Sequence, residues 1–335
     1  MKNFILFTFM ALGLLTYCKS RSGNTTHTTG ESEKFPKTVK IEGIAQNPEG
    51  IEFNKNDNTF LLSSLNAGPI IKVNTDGTYK PFTSGEPYPM SSAGIQIDYA
   101  NNRLLVTGFN GMELFDNDPE TKGIANLRIY NLDTGVMEKD INLSSLIPDA
   151  PAYMANDITH DNKGNVYISD WFAGVVYKVD PNGTPSVFWK NETGLQSGAN
   201  GLDFHPDGYL LVSLVSVNEK GLYANYGLVK IEIDDPGSAR LVNIEDGYRG
   251  FDGMIITPNG NVVGITNDGK SPGGNIVIEL TSNDDWQSAK VIHTKAVTPS
   301  TTVAITPGNL LYIINQDFAP ESAQSKNWNI ERVDF

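Results

Sequence analysis

The stretch YMANDITHDNKGNVYISDWFAGVVYKVDPNG, Tyr153 to Gly183, decides the fold. An asparagine opens an apolar alternation, DNKG supplies a polar turn, and two further apolar runs follow before the turn DPNG. Alternation with a period of two belongs to strands with one buried face. Asparagine is a poor strand former, so Asn156 at the mouth of the first run serves something other than strand stability. The echo GANGLDFHPDGYLLVS, Gly198 to Ser213, puts Asn200 in the same place.

Working outward, the same grammar occurs six times. The units begin NPEGIEF at Asn47, SSAGIQI at Ser91, ANDITH at Ala155, ANGLDF at Ala199, FDGMII at Phe251 and STTVAI at Ser300. Their anchor positions hold Glu49, Ala93, Asn156, Asn200, Asp252 and Thr301, spaced by 44, 63, 44, 52 and 49 residues. Such spacings are the lengths of β-propeller blades. Third-strand candidates follow each pair (IIKVNTDG, LRIYNLDTG, VVYKVDPNG, LVKIEIDDP, IVIELTSND, IERVDF), and fourth candidates follow most of them, ARLVNIE among these. The last unit ends at Phe335 after its third strand, while TVKIEGI from Thr38 has no partner in its own unit. The expected fold is therefore all-β, a six-bladed β-propeller whose N-terminal strand joins the last blade and closes the ring. The competing architecture is a β-sandwich or two smaller β domains. Two longer stretches, 110–126 and 144–154, read as loops or short helices that cover a site or run over the surface.

Composition agrees with this. The 335 residues include 32 Gly and 18 Pro, with 39% hydrophobic residues to fill a core. The formal net charge of −14 and the lack of any basic cluster exclude nucleic acid as a partner. The segment MKNFILFTFMALGLLTY has a lysine and an apolar run too short to span a bilayer, so residues 1–17 read as an export signal. Cys18, the one cysteine, stands directly after it, and Leu15-Thr16-Tyr17-Cys18 resembles a bacterial lipoprotein cleavage site. On that resemblance Cys18 carries lipid, residues 18–37 form a flexible tether, and 38–335 form the propeller. The localisation expected is that of an exported lipoprotein, periplasmic or anchored at the outer membrane or cell surface. Without lipidation, Cys18 is an incidental cysteine in an ordinary signal.

The first strand of a propeller blade lines the central channel, so the six anchors converge near the axis. Glu49, Asn156, Asn200 and Asp252 bring hard oxygen ligands there. Two carboxylates in a partly dry channel repel each other unless a cation stands between them. Carboxylate and amide oxygens suit Ca²⁺, with Mg²⁺ or Mn²⁺ as alternatives; Zn²⁺ fits less well without convergent His or Cys. The other reading is a polar channel that holds only water.

At these residues the chain resembles the superfamily of SMP-30/regucalcin, gluconolactonases and paraoxonase-like lactonases. The matching pieces are Pro48-Glu49-Gly50, Asn156-Asp157, Asn200-Gly201-Leu202 and Asp252-Gly253-Met254. The resemblance implies a six-bladed propeller with a divalent metal, usually Ca²⁺, held by Glu49, Asn200 and Asp252, and with Asn156 touching metal or substrate. It implies hydrolysis of a lactone or similar ester; the residues permit a mechanism in which Asp252 orients or deprotonates a water as the catalytic group and Asn156 donates a hydrogen bond to substrate. Two devices of that superfamily are replaced here. Met154 stands where gluconolactonases carry a substrate-gripping arginine, and Ala93 where paraoxonases carry a histidine. Trp171, beside Phe172 at the end of a second strand, is a candidate wall of the substrate pocket or a packing residue between blades. The competing function is a surface-anchored, non-catalytic propeller with a structural Ca²⁺ that binds a glycan, peptide or protein. His160 reads as a packed histidine and His205 as a solvent-facing turn residue. No Gly-Xaa-Ser-Xaa-Gly elbow supports a serine hydrolase.

Overall fold

The computed structural model describes residues 35–44, 46–84, 90–110, 117–245, 247–270, 274–315 and 325–335. The expected signal 1–17, Cys18 and nearly all of the tether lie outside the described residues.

Six sheets, antiparallel except for one short added strand, form the blades of a propeller. Blade 1 runs from Pro48–Asn54 at the axis through Thr59–Ser64 and Ile71–Val73 to Tyr79–Pro81 outside. The inner strands of blades 2 to 6 are Ser91–Asp98, Ala155–His160, Gly198–His205, Met254–Ile256 and Ser300–Ile305. Each inner strand packs against the inner strands of the two neighbouring blades, and that of blade 1 packs against that of blade 6. Among the described residues no helix is long and apolar enough to cross a membrane.

The alternation in the sequence becomes a set of six cores, one between each pair of neighbouring blades. The residue two places after each anchor always packs on the preceding blade. Ile51 lies with Tyr312 and Ile330 of blade 6, Ile95 with Leu61 of blade 1, and Ile158 with Leu127 of blade 2. Leu202, Met254 and Val303 repeat the arrangement against blades 3, 4 and 5. The residue one place after the anchor faces the next blade, where backbones nearly touch. A Cβ on Gly201 would stand 2.1 Å from the backbone oxygen of Asp252, and one on Gly94 2.4 Å from that of Asn156. Glycine in this slot lets the inner strands close into a narrow ring.

Thr38–Glu42 pairs antiparallel with Asn327–Val333 and forms the outer strand of blade 6. Residues 35–37, which the sequence assigned to the tether, are docked on the propeller. Phe35 is buried edge-on against Phe53, Tyr312 Oη donates to Pro36 O at 2.8 Å, and Arg332 N–H donates to Lys37 O. The apolar Phe35 gains more from this core than from solvent, so the ordered domain begins earlier than residue 38. The expected fourth strand ARLVNIE is divided between two sheets. Arg240–Leu241 finishes blade 4, and Asn243–Ile244 runs parallel to the outer strand of blade 5, making that sheet five-stranded.

A candidate metal centre in the channel

The anchors owe their aim to a repeated irregularity. In five blades the ladder between first and second strands skips at the anchor. Pairing jumps from Pro48 to Ile51, Ser92 to Ile95, Ala155 to Ile158, Ala199 to Leu202 and Ser300 to Val303. In blade 5 regular pairing starts only at Met254, and Gly253 N–H crosses to Thr301 O of blade 6 instead. A bulge of this kind turns a side chain that regular pleating would direct elsewhere. Hydroxyls of the second strands take up the amides that the bulge frees. Gly50 N–H donates to Ser63 Oγ at 2.8 Å and Asp157 N–H to Ser169 Oγ at 3.0 Å.

Four of the expected ligands come together. Asn156 Nδ2 donates to Asn200 Oδ1 at 2.8 Å, and the Asn200 side chain hydrogen-bonds Asp252. Tyr223 Oη donates to Asp252 Oδ2 at 3.0 Å. Glu49 lies within electrostatic reach of Asp252, and all four side chains are buried. Burial, then the negative charges of Asp252 and Asp157, hold the Glu49 carboxyl well above the usual range. Burial pushes Asp252 up to about 6, against the hydrogen bonds from Tyr223 and Asn200. Of the two remaining anchors, Ala93 is apolar, and Thr301 turns its hydroxyl onto Glu49 O.

This donor set fits a hard divalent cation: the charges acting on Glu49 are both negative, and a cation between Glu49 and Asp252 would relieve the conflict. Among the described residues no three His, Cys, Asp or Glu gather as a metal set. A cation here would therefore be held by two carboxylates, the amide oxygens of Asn156 and Asn200, and water. That chemistry belongs to Ca²⁺, Mg²⁺ or Mn²⁺ rather than Zn²⁺.

Three more acids line the channel walls, and the repeat reading passed over them. Asp157 Oδ2 accepts from Leu202 N at 3.0 Å, Asp203 Oδ2 from Ile256 N at 2.7 Å, and Glu52 from the Ile97 N–H. Each carboxylate thus holds an amide on the inner strand of the next blade, where no sheet partner exists. Burial is the main cause that raises Glu52 and Asp157 to about 8, with the neighbouring acids adding to it. A signal for Asp157 was present: it occupies the slot that is glycine in blades 1, 2, 4 and 5. Tyr223 has no counterpart in the repeat, and only the folded chain brings it to Asp252.

Trp171 stands beside the ring with its polar group already used. Its indole N–H donates to Val215 O at 2.8 Å, and its ring stacks on Phe172. Both rings cover a buried apolar group made of Leu65, Ala93, Phe109 and Met154. Ala93 and Met154, the positions where the sequence resemblance leads one to look for a histidine and an arginine, thus sit in one apolar cluster. His160 is half-buried, with Nδ1 3.3 Å from Asp161 O. His205, expected to face solvent, is instead half-buried and stacked on Tyr209 at 4.4 Å, and burial lowers its pKa.

No protein-family model and no curated protein matches the chain. Solved structures match along most of its length. The major allergen Mala s 1 of Malassezia sympodialis is 18% identical with a TM-score of 0.65, over 90% of this chain and 96% of that one. A gluconolactonase from Xanthomonas campestris is 14% identical with a TM-score of 0.57, over 88% and 89%. A calcium-binding regucalcin from Agrobacterium tumefaciens is 16% identical with a TM-score of 0.58, over 89% and 94%. The chain therefore has the six-bladed propeller fold that gluconolactonase and regucalcin share.

Proposed function

We propose that this protein is a divalent-cation-dependent hydrolase of a lactone or similar ester. The observation that carries the reading is the meeting of Glu49 and Asp252, two buried carboxylates, with Asn156 and Asn200 hydrogen-bonded alongside. Glu49, Asn156, Asn200 and Asp252 would hold the cation, Ca²⁺ first and Mg²⁺ or Mn²⁺ next. When bound it supplies polarisation of a carbonyl oxygen and stabilisation of the oxyanion. Asp252 would orient or deprotonate the attacking water. Asn156 has a second amide proton with which to hold the substrate. The Trp171 and Phe172 rings, which cover that buried apolar cluster, would present hydrocarbon to the acyl part of the substrate. From the apolar leader 1–17 and Cys18 of the sequence we further propose that the protein is exported and tethered to a membrane through lipid on Cys18.

One observation favours a second reading, a binding propeller with a structural cation. The four ring side chains are only 3–7% exposed, and a closed site leaves no open coordination position. A panel of lactones assayed with and without chelator separates the two. Turnover lost on chelation and restored by Ca²⁺ supports the hydrolase. No turnover on any lactone, with chelation lowering only the melting temperature, supports the binding propeller.

A further inference from the structure

Blade 4 differs from the others by an arm. Its second and third strands, Tyr209–Val217 and Tyr223–Glu232, are 9 and 10 residues long, whereas their counterparts in blade 3, Val166–Asp170 and Val175–Val179, have 5 each. The pairing register shifts between Leu214 and Ser216, which bends the hairpin. Asn225 beside the shift takes the left-handed conformation, φ 43°, and its Nδ2 donates to Ser216 Oγ at 3.2 Å.

The arm is braced from both sides. From blade 3, Trp171 Nε1 holds Val215 O. From the chain leading to Asp252, Tyr248 Oη donates to Gly227 O at 3.2 Å and its ring meets Tyr226 edge-on. Gly250 passes so close that a Cβ there would lie 3.1 Å from those of Tyr226 and Val215. A braced element of this kind places the group at its end within narrow limits. That group is Tyr223, whose hydroxyl donates to Asp252 Oδ2.

We propose that Tyr223 is a positioning residue that makes Asp252 a one-oxygen ligand. The inference rests on the reading of the ring as a cation site. With Oδ2 engaged by the phenol, Asp252 offers Oδ1 to the cation. Ca²⁺ accepts both oxygens of a carboxylate in a crowded, tolerant shell, whereas Mg²⁺ demands near-octahedral geometry with single-oxygen ligands. Tyr223 therefore narrows the difference between the two ions. The arm sets how strongly the site prefers the larger cation, and Trp171 acts on that choice through Val215.

The test measures binding alone. The chelator-treated, dialysed protein is titrated calorimetrically with CaCl₂ and with MgCl₂, as wild type, Tyr223→Phe, Trp171→Phe and Tyr226→Phe. Loss of the phenol hydroxyl is expected to raise the ratio Kd(Mg²⁺)/Kd(Ca²⁺) about tenfold, the scale of one hydrogen bond to a charged group. Trp171→Phe is expected to raise it less, and Tyr226→Phe, on the same arm but away from Asp252, to leave it unchanged. A general loosening of the arm weakens both ions together and leaves the ratio where it was. A ratio unchanged or lowered in Tyr223→Phe, with both ions still bound, overturns the role of Tyr223 and leaves the ring reading standing. Wild-type protein that binds neither ion overturns the ring reading and this inference with it.

Discussion

Thr301 Oγ1 donates a hydrogen bond to the backbone oxygen of Glu49 at 2.9 Å, across 252 residues of sequence. The bond ties the anchor of the last blade to the anchor of the first. One of the contacts that close the ring between blades 6 and 1 thus also holds a candidate ligand, and loosening that seam is expected to move Glu49.

Thr301→Val keeps the shape and removes the hydroxyl. It is expected to cost about 1 kcal/mol in urea unfolding and to weaken Ca²⁺ binding, while Thr301→Ser retains both. Full Ca²⁺ affinity in the valine variant would show that the seam does not set the position of Glu49.

Glu49→Gln removes one of two repelling buried carboxylates. Without cation it is expected to melt above wild type at neutral pH, because the surviving Asp252 loses its like-charged neighbour. With Ca²⁺ the order reverses, since the variant gains no thermal shift from the ion. Asp252→Asn is expected to lose the shift and any lactone turnover together. A cation-induced shift of full size in Glu49→Gln removes Glu49 from the ligand set.

Asp157 and Glu52 give the cation-free protein a particular pH dependence. Their pKa values rise from 3.8 and 4.5 to about 8 on folding. Between those limits the native state holds protons that the unfolded chain has released, so stability falls as pH climbs toward 8. Glu52→Gln keeps an acceptor for the Ile97 N–H but does not titrate. Melting temperatures from pH 5 to 8 are expected to decline less steeply in that variant; an identical slope would mean that Glu52 is already ionised in the native ring.

Gly201→Ala tests the close approach of blades 4 and 5. A methyl group 2.1 Å from Asp252 O forces the backbones apart, at a cost of about 1–3 kcal/mol or more. The displaced strand carries Asp252, so cation affinity is expected to fall as well. Calorimetric titration beside denaturant unfolding reads both effects, and a stable variant with unchanged affinity contradicts the clash.

The six units and their anchors were legible in the chain because two regularities survive divergence. Burial of Ile51, Ile95, Ile158, Leu202, Met254 and Val303 between blades demands an apolar residue at one fixed offset. Poor strand formers such as Asn156 and Asn200 at the strand mouth stand out against that pattern. Docking of Phe35 was not legible, since one apolar residue after a polar tether carries no period. The bulges were not legible either: an extra residue in a ladder shows only when the partner strand is in place.

The sequence by itself determined the strand period, the number of blades and the residue type at each anchor, because burial and turn chemistry act on neighbours along the chain. Only the tertiary structure decided what those anchors touch. Contacts between Asn156 and Asn200, between Tyr223 and Asp252, and between Trp171 and Val215 join different blades or distant segments. They depend on bulge, arm and ring geometry, which arise when all six sheets pack at once and leave no periodic trace in any one of them.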